Sequence, residues 1–524
     1  MMPWFHLHAP ALMVAGPLAA AFLLLALSRA PLRFRHFLFL LGLLLGAAAA
    51  LDVATRVLAC GRPATYVFGV PGASLLVPSA SGGVPVRIAF HVDAASAVFL
   101  LLAALLSFLT GRYGTASEAS TTGHDTFYPL YLLLAAGIYG MFATGDVFNF
   151  FVFLEITSLS GAALAAYRVD AALATEAGLK YAAVSTLAAL SYLLGVTLLL
   201  AGHDALNLAQ LARDISTTGL APLDATAAAL MIVPLLMKCG AVPVHQWAPD
   251  VYSRAPAPVS AFLLVSSQAS LYALFRIAFT LFGPALRLSV LAPVLLLVAL
   301  LSMFVGVTMA LVQHDVKRLI AHHAVSQTGY MVLGAAVALS VLPDPARLAA
   351  YGRDALAGSL FHMVNYAIYN SLLFLAAAAV IHRTGVRDLD RTGGLARRMP
   401  WTAACFGIGA LAIAGIPPLS GFSSKWVLYV TACRHSPFLA VVAMAVSLLT
   451  LASFAKVFHS LFLGPSRPAF SGVAEVPWAM RWPMVLLAFL ALAIGLFPGW
   501  TMDHLMRPAA DALLDRAAYL GILP

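Results

Sequence analysis

Charged side chains are scarce in this chain. Asp, Glu, Lys and Arg make up 10% of its 524 residues, where a soluble globular domain carries about 25%, so an ordinary soluble domain is excluded. Cysteine is nearly absent. Cys60, Cys239, Cys405 and Cys433 stand singly with no Cys-x-x-Cys spacing, which argues against a disulfide framework and against a metal or iron–sulfur site. Also missing are a strand-linked phosphate loop, a Ser-His-Asp order and paired soluble carboxylates, so nucleotide and hydrolytic chemistry have no local support. The expectation is a chain with no catalytic site of its own, no cofactor and no metal. No basic segment and small-residue cleavage site precede the first apolar run, so Ala11 to Leu27 is read as a retained helix rather than a signal peptide.

What the chain has instead is apolar length. It is 62% hydrophobic, with a mean hydropathy of +0.93, and this composition predicts an all-α polytopic membrane protein. Taking runs of roughly 18 or more apolar residues as spans predicts about fourteen, with cores at 11–28, 36–58, 91–111, 127–144, 147–167, 178–201, 223–245, 256–281, 286–311, 318–341, 356–382, 402–431, 437–463 and 481–499. The longest non-apolar connection, Cys60 to Val86, is rich in Pro, Gly and Ser and reads as an extramembrane loop. The formal charge of +9 is explained by arginines in short loops, which orient a membrane protein, rather than by nucleic-acid binding. Arg29, Arg33, Arg35, Arg112, Arg168, Arg254, Lys317, Arg318 and the cluster from Arg383 to Arg398 fall on one side, which predicts that side to be cytoplasmic and both termini outside, in a bacterial inner membrane.

The stretch LLMKCGAVPVHQWAPDVYSRAPAPVSA, residues 235–261, organises the rest. Lys238 lies about a dozen residues from Asp224 and Asp250, too far at ~1.5 Å per helical residue to reach water by leaning. An ammonium at that depth costs a few kcal/mol, which marks a functional site unless a carboxylate pairs with it structurally. Pro243, Pro249, Pro256 and Pro258 interrupt the helix, as a bilayer tolerates only where irregular backbone faces protein or a wet cavity. A second broken span lies at AIAGIPPLSGFSSKWVLY, residues 412–429, where Pro417, Pro418 and Gly421 precede Lys425. Five spans separate the two, so two five-helix units would lie in opposite orientations.

Glu155, in FNFFVFLEITSLS, is the cleanest intramembrane carboxylate. Burial and a nearby lysine would pull its proton affinity in opposite directions, which suits an ion relay; a fixed ion pair is the alternative. His322 and His323 open the tenth span and His362 lies in the eleventh; with no metal-ligand spacing, these residues carry protons if they act at all, and otherwise pack. His245, beside the first break, is either a relay member or an interfacial anchor. Asp146, Lys180, Asp315, Lys317 and Arg318 are read as solvated or headgroup-facing helix ends, and Asp93 as a helix cap. The glycines of residues 406–415 read as helix packing.

With GDVFNFFVFLEITSLSGAALAAY, EAGLKYAAVSTLAALSYLLG, HDVKRLIAHHAVSQTGYMVLG and IPPLSGFSSKW beside the 235–261 stretch, the chain resembles the antiporter-like, proton-pumping membrane subunits. These are shared by respiratory complex I, Mrp-type cation/proton antiporters and energy-converting membrane-bound hydrogenases; the D subunit of Mrp-type antiporters is the nearest in flavour. The resemblance implies two inverted five-helix repeats with discontinuous seventh and twelfth helices, which divides the chain into 1–125 (helices 1–3), 126–282 (helices 4–8), 283–465 (helices 9–13) and 466–524 (helix 14 and tail). It also implies a mid-membrane line of buried charges, in which Glu155 matches the fifth-helix glutamate, Lys238 the seventh-helix lysine, His362 the eleventh-helix histidine and Lys425 the twelfth-helix charged position. Two places depart from the pattern. Gln268 stands at the eighth-helix lysine, and Tyr366 and Asn370 stand where the eleventh helix often carries a histidine and a lysine.

The leading expectation is a subunit that moves protons, with or without sodium, inside a multi-subunit cation/proton antiporter, NADH-quinone oxidoreductase or hydrogenase-type complex. Its partners are other hydrophobic subunits and the bilayer, and its relay is Glu155, Lys238, His245, His322, His323, His362 and Lys425. A degenerate, non-conducting scaffold is the rival suggested by Gln268 and Asn370, and a self-sufficient solute carrier is a third reading.

Overall fold

The computed structural model describes residues 3–68, 88–118, 124–168 and 171–521, so residues 69–87 of the expected loop lie outside the described part. Apolar runs too long for strands and poor in internal glycine and proline dictate helix, and helix dominates. In chain order the helices are α1 (Pro3–Ala26), α2 (Leu32–Cys60), α3 (Ala94–Ser117), α4 (His124–Ala143), α5 (Val147–Ala165), α6 (Ala172–His203), α7 (Leu208–Thr218), α8 (Pro222–Lys238), α9 (Trp247–Arg254), α10 (Ala257–Phe275), α11 (Leu288–Leu311), α12 (Val316–Val341), α13 (Pro345–Arg347), α14 (Arg353–Thr384), α15 (Pro400–Ala414), α16 (Ser420–His435), α17 (Pro437–Phe458), α18 (Trp478–Leu496), α19 (Pro498–Thr501), α20 (Arg507–Leu514) and α21 (Arg516–Leu520). Among the described residues, twelve helices are long and apolar enough to cross a membrane, and the chain is a multi-pass membrane protein. The two spans expected to be interrupted are broken pairs, α8 with α9 and α15 with α16.

The exceptions to helix are small. The strands β1 (Ala64–Val67) and β2 (Ala89–Val92) pair antiparallel, Ala64 opposite Val92, so the third span begins at Ala94 rather than residue 91. A π-helical segment, Arg276–Phe282, continues α10.

Burial does not follow hydropathy. Every residue of α10 is buried, and α12 and α14 are buried almost throughout, although they carry Gln268, His322, His323, His362 and Asn370. The most apolar helix, α11, exposes Val290, Leu297 and Phe304. Polar residues therefore face the centre and apolar residues the rim, as a bilayer solvent requires.

One local device occurs twice. Asp146 caps α5 by accepting from Asn149 N, and its backbone bridges Asn207 through Val147 N to Leu206 O and Leu208 N to Gly145 O. Asp315 caps α12 by accepting from Lys317 N and Arg318 N, and bridges Asp388 through Val316 N to Arg387 O and Leu389 N to His314 O.

Candidate functional site: two lysines at interrupted helices

The first break follows from its backbone. Gly240 takes a positive φ of 75°, a conformation that favours glycine, and α8 stops at Lys238. The groups freed there find partners. The Val242 N–H donates to Ser302 Oγ at 3.0 Å, the Trp247 indole to Met237 O at 2.8 Å and the Thr328 hydroxyl to Cys239 O at 3.3 Å. An unwound segment at this depth is stable only when its polar groups are met in this way.

Lys238 is 2% exposed. Its ammonium donates to Ser158 Oγ at 2.9 Å, Tyr181 OH at 3.0 Å and Ser185 Oγ at 2.9 Å, and sits 4.5 Å from the Tyr181 ring centroid. Three hydroxyls from α5 and α6 thus use all three of its donors. Among the described residues it forms no ion pair with a carboxylate; Glu155 is within electrostatic reach but not in contact. Glu155 is half-buried, on the outward stripe of α5 formed by Phe148, Val152, Glu155, Leu159 and Ala163.

The second break has the same logic. Gly415 takes a φ of 78°, and the last carbonyls of α15 are met from outside the helix. Lys425 Nζ donates to Ile413 O at 2.8 Å and Ser447 Oγ donates to Ala414 O at 2.9 Å. Lys425, 1% exposed, also donates to Ser447 Oγ at 3.0 Å and lies 4.7 Å from the Tyr330 ring centroid. Both lysines therefore lie at the carbonyl end of a half-helix. Lys238 belongs to the last turn of α8, whereas Lys425 reaches back from α16 to α15. The partial negative charge there favours a cation.

The core also holds buried neutral hydrogen-bonding groups in two sets. Tyr252 OH and Ser267 Oγ are 2.5 Å apart. Tyr369 OH donates to Gln327 Oε1 at 3.2 Å, His362 Nε2 is 3.2 Å from the same oxygen, and His362 Nδ1 is 3.0 Å from Ser424 Oγ, next to Lys425 in sequence. Tyr366 is buried beside Tyr369. Among the described residues, Gln268 Oε1, both amide atoms of Asn370, Gln327 Nε2 and Asn365 Oδ1 are buried without hydrogen-bond partners, as are both ring nitrogens of His322 and one each of His245 and His323. Such a concentration is what internal water satisfies.

The histidines do not form one contact cluster. His362 belongs with Lys425 through Ser424, His323 Nε2 pairs with Ser453 at 2.8 Å, and His322 lies in the field of His245, Arg318 and Asp250. His245 is half-buried at the first break.

Three readings of single residues need correction. Asp146 is not a solvated helix end; it is 5% exposed and its carboxylate is turned onto Asn149 N. Lys317 is not a headgroup-facing helix end; it is 5% exposed and donates to Ala255 O at 2.5 Å and Ser260 Oγ at 3.2 Å. Asp93 does cap α3, accepting from Ser96 N at 3.0 Å, but it also holds Arg276 at 2.6 Å. Burial raises the Asp93 carboxyl, but Arg276 and His91 outweigh it and hold the group below its ordinary range.

Fold and site together define a class: an all-α, multi-pass membrane protein built around two interrupted helices and a buried polar core. The family described as NADH:quinone oxidoreductase/Mrp antiporter, TM, matches residues 144–450, and the chain belongs to this family. It is 35% identical over 521 residues to NADH-quinone oxidoreductase subunit N of Desulforudis audaxviator, covering 96% of this chain and 98% of that one. It is 31% identical over 440 residues to the D subunit of the Na(+)/H(+) antiporter of Alkalihalophilus pseudofirmus, covering 83% and 85%. A chain in the structure of the Mrp complex from Dietzia sp. superposes with a TM-score of 0.83 at 27% identity, covering 100% of both.

Proposed function

We infer that this chain is the proton-translocating membrane subunit of a multi-subunit complex, of cation/proton antiporter or NADH-quinone oxidoreductase type, with other hydrophobic subunits as its partners. The observation that carries this reading is the pair of buried lysines, each at the carbonyl end of an interrupted helix and separated by buried groups that can pass a proton through hydroxyl, amide and imidazole. Lys238 exchanges charge with Glu155 when the carboxylate swings inward or water links the two. His245 and His322 serve that side, His362 and His323 serve the Lys425 side, and water beside Gln268, Tyr366 and Asn370 joins them. The device repeated at Asp146 and Asp315 supports two five-helix repeats, 126–282 and 283–465, flanked by 1–125 and 466–524. In a bacterial inner membrane the arginine-rich loops would face the cytoplasm and both termini the outside. Sodium can accompany protons, as the name of the Na(+)/H(+) antiporter relative states for that protein.

The test is proton flux in vesicles holding the whole complex. Glu155→Gln keeps the shape and removes the charge, and a fall of about tenfold or more is expected, since one pKa-matched relay group is worth at least that in transfer rate. Undiminished flux would overturn the reading. The scaffold alternative rests on the neutral Gln268 and Asn370, and it makes its own prediction. Under our reading the native chain conducts; a silent native chain that gains flux with Gln268→Lys and Asn370→Lys would favour the scaffold.

A further inference from the structure

A cavity of about 250 Å³ opens where α3, α9 and α14 end and α10 and α12 begin, at the depth where a membrane meets water. Among its lining side chains are four cations, Arg168, Arg254, Lys317 and Arg387, and one acid, Glu118. Glu118 is committed to Arg168 at 2.5 Å, and Arg387 is committed to Asp315 at 3.0 Å. After those pairs, Arg254 and Lys317 remain in excess.

Among the described residues neither forms an ion pair, although Asp315 and Glu118 lie within electrostatic range of Lys317. Lys317 is buried and bonded only to a carbonyl and a hydroxyl. Arg254 has no hydrogen-bond or ion-pair partner among the described residues, although Asp250 and Asp315 lie within its electrostatic range. Ala257, the first residue of α10, also lines the cavity, and the cap position before it is Pro256, which offers no side-chain cap, so the positive end of the helix faces the same space. An uncompensated buried cation is costly. Lys317 is such a cation, and with the half-buried Arg254 beside it and an uncapped helix start around one cavity it forms a receptor for a compact anion with several acceptor oxygens.

We propose that this cavity binds a phosphate group, which supplies Arg254 and Lys317 with an ion-pair partner that no described residue provides. At an interfacial depth the group is carried either by an anionic phospholipid or by a free phosphate. Guanidinium forks and ammonium donors suit phosphate oxygens, and the relay through Lys238 and Lys425 plays no part in the assignment.

The experiment uses the full chain purified in detergent. Inorganic phosphate is titrated at constant ionic strength against chloride, with thermal stability as readout. In parallel, native mass spectrometry counts phospholipids retained from micelles containing either phosphatidylglycerol or phosphatidylcholine. Stabilisation by phosphate identifies a free anion as sufficient, whereas selective retention of one phosphatidylglycerol without a phosphate response identifies the headgroup. Either result supports the site provided that Arg254→Gln weakens it by about tenfold or more, the loss expected for one charge-assisted bond, and Arg254→Lys restores part of it. Arg254 breaks no native bond when replaced, so its variants test binding rather than folding. Equal responses to phosphate and chloride with no lipid selectivity, or binding unchanged in Arg254→Gln, would overturn the proposal.

Discussion

If the proposed relay holds, vesicles carrying the complex with Lys238→Met should lose proton flux by at least about tenfold, with assembly intact, because the variant deletes the buried charge on which that relay turns. Methionine has nearly the length of lysine and fills its slot. Removing the ammonium relieves a desolvated charge but leaves three hydroxyl oxygens, on Ser158, Tyr181 and Ser185, without their donor. The first of these still donates to Leu154 O at 2.6 Å. The opposed terms bring the stability cost to about 1–3 kcal/mol, small beside the functional loss. Lys238→Arg separates two roles. Guanidinium keeps the charge but does not release a proton near neutral pH, so this variant should be as silent as Lys238→Met. Normal flux from it would mean that position 238 needs only a fixed charge. A pH-sensitive dye inside the vesicles reads flux, and size-exclusion chromatography of the solubilised complex reads assembly.

Gly421→Ala should be the most damaging single methyl addition near the second break. A Cβ at Gly421 would overlap the Ala412 carbonyl, and that obstacle is backbone rather than a movable side-chain end. Relief requires α16 to move away from α15. The neighbouring Ile413 carbonyl, on which Lys425 rests, stays with α15, so the substitution separates the lysine from the half-helix end that stabilises it. Overpacking of this kind costs about 1–3 kcal/mol or more, and both a lower Tm of the complex and a severalfold loss of flux are expected. Wild-type thermal stability together with wild-type flux would show that the α15–α16 contact is looser than described.

Much of this was readable in the chain. In a sequence this poor in charge, a lysine a dozen residues from any other ionic group stands out, and so does the Pro-Pro-x-x-Gly interruption ahead of Lys425. What could not be read was who answers each charge. Serine is common in apolar helices, so nothing marked Ser158 and Ser185 as the partners of Lys238; a carboxylate in the right helix was the natural expectation, and Glu155 lies in the field of the lysine without touching it. Lys317 follows an Asp cap by two residues and looked like a helix end reaching for headgroups, but its acceptor, Ala255 O, is 62 residues away in the chain. Arg276 meets Asp93 across 183 residues. Local pattern identifies ions at depth, whereas their partners are set by packing between distant helices.

The outward stripe of α5 has a consequence for how the chain finds company. Between lipid-exposed helices there is little hydrophobic gain, since lipid tails are as apolar as leucine. Phe148 and Leu159 would be as content in hydrocarbon as against another protein. Glu155 would not: leaving an acidic side chain against lipid costs a few kcal/mol, and a neighbouring helix with a hydrogen-bond donor at that height removes the cost. One carboxylate would thus make the bilayer itself the force that favours a seam on this flank, and it would select the neighbour by chemistry where the apolar side chains around it cannot.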